Sequence, residues 1–196
     1  KKAIADTLQN HTVLHRCSVK DRCFKCLVER FLLVGLEECV EGLHRLTKGN
    51  VKNLIAAHDV IVDCSDNADT RYLLGDCAHH QGRTLVFGGA VRMEGQLAVF
   101  QSSVAGHVGT ACYRCVFPSM PDVKQAPGCS EAGILGAVTG IVGSLQALET
   151  VKLCMGQDSG LTGSLLLIEA GQTEFMKITT TPRKDCSCCG ADQAAG

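Results

Sequence analysis

Two cysteine pairs, Cys112-Tyr-Arg-Cys115 and Cys186-Ser-Cys-Cys189, stand out in this chain of 196 residues. One C-x-x-C hook seats two thiolates on a tetrahedral ion. Two hooks supply the four sulfurs, at about 2.3 Å, that Zn²⁺ takes when its role is structural. The spacing predicts a four-cysteine zinc pinning the end of the chain back onto the domain. Two unrelated pairs of reduced cysteines, or a thioredoxin-like redox use of Cys112 and Cys115, are the alternatives. A second place for chemistry is the polar run Asp63-Cys64-Ser65-Asp66-Asn67, which follows apolar Val60, Ile61 and Val62. Beyond the carboxyl end of a strand in an open α/β sheet, Asp66 can hold Mg²⁺ and a nucleotide phosphate, with Arg71 neutralising phosphate charge. The plainer reading makes Asp66 a helix cap and Arg71 a solvated surface charge. Cys129 is the third, after Pro127-Gly128 and just before a long apolar segment. A helix N-terminus lowers a thiol's pKa, so Cys129 can act as a nucleophile in acyl or sulfur transfer. It can equally be a buried structural cysteine, as Cys64, Cys77 and Cys154 are read.

The elements that must carry these residues follow from the apolar pattern. Val60–Val62 reads as a buried strand, and Asp66 or Asn67 caps a helix from about Ala68 to His80, with Tyr72, Leu73 and Cys77 turned inward. Gly82 ends that helix, and His79 and His80 read as its exposed end. Thr84–Phe87 is the next strand, stopping before Gly88-Gly89, and Gly95–Phe100 is an antiparallel one. Ala132–Leu148 carries no charge, and Gly133, Gly136, Gly140 and Gly143 recur along it. A membrane span is weighed and set aside: the run is short, polar Thr139, Ser144 and Gln146 interrupt it, and Glu131 and Glu149 flank it. A buried helix, at a subunit interface, is predicted instead. Leu165–Ile168 and Glu174–Ile178 are strands leading to the second hook. Strand–helix–strand order early, then antiparallel strands and a zinc site late, argues an α/β fold with a mixed sheet.

Composition narrows the class. A formal net charge of −1 gives no general attraction to nucleic acid or to an anionic membrane. The 13 cysteines fall partly in metal-type pairs and no secretory pattern precedes them, so the chain reads as reduced and cytoplasmic. It begins at Lys1, as a piece of a longer protein would.

In sequence order, Asp63-Cys-Ser-Asp-Asn67 with Arg71, Arg92-Met-Glu-Gly-Gln96, the first cysteine hook, Cys129-Ser-Glu-Ala-Gly133, Gly143-Ser-Leu-Gln-Ala-Leu-Glu149 and the second hook resemble the MoeB/ThiF group of ubiquitin-activating-type enzymes. The resemblance runs from about Glu37 to Gly190. It implies a Rossmann-like activating-enzyme fold and adenylylation, with Mg²⁺–ATP, of the C-terminal Gly-Gly of a ubiquitin-fold sulfur carrier, for molybdopterin synthesis and tRNA thiolation. By the same resemblance Asp66 binds Mg²⁺–ATP, Asn67 contacts the nucleotide, Arg71 assists near the phosphates, and Cys129 is a loop nucleophile. The resemblance likewise implies that Cys112, Cys115, Cys186 and Cys189 hold zinc and that the enzyme is a homodimer.

The family's glycine-rich phosphate loop is not recognisable in residues 1–36, which makes the expected fold an incomplete one. That stretch is read as a divergent segment, poorly ordered or non-native. His11, His15, Cys23 and Cys26 within it offer a second metal site in an order that matches no known ligand pattern. Residues 37–190 form the adenylation domain and 191–196 a tail. The principal rival function is a zinc-stabilised scaffold that docks a partner without binding ATP.

Overall fold

The computed structural model describes residues 13–15, 46–120 and 133–190. Strand β1 (Val13–His15), in a stretch where the sequence pattern predicts no element, pairs antiparallel with β2 (Val60–Asp63). Helix α1 (Val51–Ala56) precedes β2, and α2 (Ala68–His80) follows it. Next come β3 (Thr84–Val91), β4 (Glu94–Phe100), the single turn α3 (Tyr113–Val116), the long α4 (Gly136–Cys154), β5 (Ser164–Glu169) and β6 (Glu174–Thr179). The six strands form one mixed sheet in chain order. β2 and β3 are parallel, joined by the α2 crossover, and the other neighbours are antiparallel.

Side-chain alternation splits the core between the two faces of the sheet. Ile61, Leu85, Phe87, Ala98 and Phe100 face Ile55 of α1, Tyr72 and Leu74 of α2, and Tyr113 of α3. Val60, Val62, Val86, Leu97 and Val99 face Leu145 and Leu153 of α4. Full burial of each such side chain contributes about 1.5–3 kcal/mol. Two missing β-carbons let α4 lie close to the sheet. A β-carbon at Gly88 would overlap the Gln146 carboxamide, and one at Gly95 would stand 2.8 Å from Val142 Cγ2.

Helix α2 begins and ends where the sequence predicts. Asn67 is its N-cap, its side chain accepting from the Thr70 N–H at 2.9 Å. At its other end Gly82 takes φ +61°, and the Arg83 and Gly82 N–H groups donate to Ala78 O and His79 O, a Schellman pair. Several details differ from expectation. Leu74, not expected inward, is fully buried, while Leu73 packs against the same core but stays partly exposed. His79 is buried, with Nδ1 2.7 Å from Ser102 Oγ, and only His80 is exposed. β3 runs on through Gly88-Gly89 because β4 pairs with it as far as Val91–Glu94.

Helix α4 starts at Gly136 rather than Ala132. Residues 133–135 are paired with Arg92 instead, through hydrogen bonds between Arg92 N and Gly133 O and between Leu135 N and Arg92 O, with Gly133 at φ +75°. It continues past Glu149, because that carboxylate is neutralised by Lys152 at 2.6 Å and accepts from Ser159 Oγ at 2.6 Å. Nor is it buried all round. Val138, Val142 and Gln146 face the sheet, while Ile141 and Leu148 are exposed on the side that carries Gly136 and Gly140. At the opposite edge of the sheet β6 leaves Phe175, Met176 and Ile178 exposed. Among the described residues no helix is long and apolar enough to cross a membrane.

Candidate active site and metal centre

The loop after β2 is fixed by its own side chains. Asp63 is fully buried at the carboxyl end of β2, and its Oδ1 accepts from Ser65 N–H at 2.9 Å and Ser65 Oγ at 2.6 Å. Arg71 reaches back from α2 to donate Nε and Nη2 to Ser65 O at 3.1 and 2.7 Å, its guanidinium 5.4 Å from the Phe87 ring centroid. From the far face Gln146 of α4 donates Nε2 to Asp63 O at 2.8 Å and to Val86 O at 3.3 Å, spanning both parallel strands. Its Oε1 accepts from Cys64 Sγ at 3.6 Å. Burial pushes the Asp63 carboxyl above its ordinary value despite the pull of Arg71 and Ser65. Cys64 is an exposed residue rather than a buried structural cysteine, yet desolvation of its thiol beside Gln146 and the neighbouring Asp63 push that thiol up to about 11.

In this loop Asp66 is the carboxylate left for a ligand. It is exposed, and its one hydrogen bond among the described residues is from Asn67 Nδ2 at 3.5 Å. Asn67 serves as the helix cap through Oδ1, and Arg71 clamps the loop rather than standing as a solvated charge. The structure thus brings Asp66, Asn67 and Arg71 together beyond the carboxyl ends of the parallel strands, where open α/β sheets bind ligands. Cys129 lies outside the described residues, as do His11, Cys23 and Cys26, and the tail from 191. Gln146 and Asp63 escape sequence reasoning as site residues. The one local signal is a glutamine at the four-residue period of Val138 and Val142, inside an apolar stripe.

The two hooks come together as predicted. Sγ atoms of Cys112, Cys115, Cys186 and Cys189 all lie within 4.8 Å of one another. Neighbouring sulfurs stand 3.7 Å (Cys112–Cys115), 3.5 Å (Cys112–Cys186) and 3.4 Å (Cys115–Cys189) apart. Four sulfurs at 2.3 Å around a tetrahedral zinc are separated by roughly 3.8 Å, so the donor set and its spacing fit that ion. The Arg183 N–H points at Cys115 Sγ at 3.3 Å. Backbone N–H groups of Cys189 and Cys188 bring the Cys186 thiol down to about 7, against the opposing effect of burial. The partly buried Cys188 packs against the cluster, and its hydrogen bonding is the largest influence raising the Cys112 thiol.

The first hook is bolted to α2. Arg114 makes a two-point pair with Asp76 at 2.6 and 2.8 Å and lies over the Tyr72 ring. Tyr113 meets Tyr72 edge-on at 5.1 Å between centroids. The four-cysteine cluster and the Asp66 loop therefore share α2 as a support.

Comparison with known proteins bears on this arrangement. The chain is 44% identical over 154 residues to the adenylyltransferase and sulfurtransferase MOCS3 of Bos taurus, covering 78% of this chain and 33% of that protein. It is 42% identical over 147 residues to the sulfur carrier protein adenylyltransferase of Thermus thermophilus, covering 74% and 54%. It thus spans about a third to a half of the length of these relatives. Among solved structures, E. coli MccB with ATP shares the fold at a TM-score of 0.53 and 13% identity, covering 67% of this chain and 40% of MccB. A heterocyclase in complex with substrate and cofactor gives 0.53 at 16% identity, over 76% of this chain and 24% of that one. A family model described as the ThiF family matches residues 34–189, and with relatives of this identity the chain belongs to the ThiF family.

Proposed function

We propose that the chain carries the adenylylation chemistry of a sulfur-carrier activating enzyme. The carrier's C-terminal glycine carboxylate attacks the α-phosphate of ATP, the bond to the bridging oxygen breaks, and pyrophosphate leaves with its electron pair. An acyl-adenylate remains for sulfur transfer in molybdopterin synthesis and tRNA thiolation. One observation carries the reading: Asp63 Oδ1, Ser65, Asn67 and Arg71 are hydrogen-bonded within the Asp63–Asn67 turn and to its helix, and Asp66 is left exposed at the ligand end of the sheet. Asp66 would hold the Mg²⁺ that screens the phosphates from the incoming carboxylate. Arg71 stands one helical turn behind it and keeps the loop in register. Cys129 is proposed as the nucleophile whose thiolate attacks the acyl-adenylate carbonyl, the acyl–phosphate bond breaking and AMP leaving with its electron pair.

Cys112, Cys115, Cys186 and Cys189 are proposed to bind one structural Zn²⁺, which supplies cohesion rather than chemistry. Glycines on the outer side of α4, beside exposed Ile141 and Leu148, support a homodimer packed on that helix. A reducing cytoplasmic setting suits the free thiols.

The test is carrier-dependent ATP–pyrophosphate exchange by the full chain, with Asp66→Ala as control. Exchange that falls by two or more orders of magnitude in the variant supports the reading (on the order of 10²–10³ for a lost metal or charge contact). No exchange from a folded, zinc-loaded chain given a competent carrier makes it a scaffold instead. Metal analysis should find one zinc per chain, lost in both Cys112→Ser and Cys186→Ser. Full retention in both variants would contradict the four-sulfur site.

A further inference from the structure

We infer that Gln146, on the far face of the sheet from α2, is the residue that positions Asp66. This rests on the reading of Asp66 as the Mg²⁺ ligand. The Asp63–Asn67 turn is under opposing demands. It keeps the Asp63 carboxyl group fully buried with Oδ2 lacking a hydrogen-bond partner among the described residues, an arrangement that favours opening the turn toward water. On the α2 side the turn is tied at Ser65 O and at Asn67. Neither tie touches residues 63 and 64, where strand becomes turn. Asp63 has its ladder place beside Phe87 and its own bonds to Ser65, and among the described residues the tie that reaches both 63 and 64 from another element comes from α4: Asp63 O accepts from Gln146 Nε2, and Cys64 Sγ donates to Gln146 Oε1.

The same carboxamide donates to Val86 O, so it fixes the loop relative to the neighbouring parallel strand and not merely to itself. Space for it exists because residue 88 has no side chain. Gln146 is itself buried and its amide is used on both ends, as a positioning group must be.

Two variants test this in the full chain. Gln146→Met keeps the volume and removes the donor. Gly88→Ala combined with Gln146→Ala replaces the brace with plain packing and serves should the first variant fold poorly. Amide hydrogen exchange is followed for a peptide spanning residues 63–71 and for one spanning β4. About ten-fold faster exchange at Ser65 and Thr70, with β4 unchanged, is expected in both variants. Loop amides as protected as in the parent chain, or acceleration shared equally by β4, would overturn the inference.

The second readout is the Mg²⁺ dependence of pyrophosphate exchange. The half-saturating Mg²⁺ should rise about ten-fold, with turnover recovered at saturating Mg²⁺. Lost turnover with an unaltered Mg²⁺ dependence would mark Gln146 as structural only. A parent chain with no pyrophosphate exchange sinks the function of Asp66, and hydrogen exchange then decides on its own whether Gln146 sets the loop.

Discussion

Asp63 and Asp66 sit three positions apart in opposite surroundings, one fully buried and the other exposed. Burial raises the Asp63 pKa above its ordinary 3.8, so the fold favours the protonated acid. Its contribution to stability is therefore complete below that ordinary value and is lost as pH rises through the raised one. Asp63→Asn removes this titration. In denaturant melts from pH 3 to 8, the parent chain should lose stability relative to the variant as pH rises, and a difference that stays constant would contradict the burial argument. Asp66→Ala should instead shift stability by less than about 0.5 kcal/mol at any of these pH values, because an exposed carboxylate with one long hydrogen bond holds little together. The contrast also marks what a sequence can reveal. Asp66, Asn67 and the hooks are legible because their spacing is local. Gln146 finds its partners 83 and 60 positions away, at Asp63 O and Val86 O, and no local pattern reports such a pairing.

Helices in this domain are placed by glycines on the surfaces they meet. Gly75 on α2 faces Tyr113 of the first hook, and a β-carbon there would stand 2.7 Å from Tyr113 Cβ. In an isolated helix Gly→Ala gains about 1 kcal/mol. Here overpacking costs about 1–3 kcal/mol, and a backbone-rooted Cβ cannot swing aside as a long side chain would. Gly75→Ala should therefore lower the urea midpoint, with an unchanged or higher midpoint ruling against close α2–α3 packing. Strands β2 to β6 and α2 can be read from the sequence because alternation and caps are short-range signals, whereas β1 shows no such pattern. The ends of α4 cannot. Its start is set by backbone pairing of residues 133–135 with Arg92, and its far end by the Glu149–Lys152–Ser159 cluster.

At the scale of the molecule, the sulfur cluster joins residues 112–115 to 186–189 and rests on α2 through Arg114 and Asp76. Removing the metal with a chelator should lower the melting temperature, on the order of 10 °C or more, and expose residues 180–190 to protease before the central strands. Equal resistance with and without chelator would show that the thiols hold the tail by packing alone. The mixed sheet itself is strung in chain order, each strand beside the one made before it. A sheet of this kind can be laid down progressively as the polypeptide leaves the ribosome, while the clasp must wait for Cys189. Maturation would then finish on a metal-loading step, and a cell short of zinc would accumulate chains whose sheet is built but whose closing stitch is open, ready substrates for quality-control proteases.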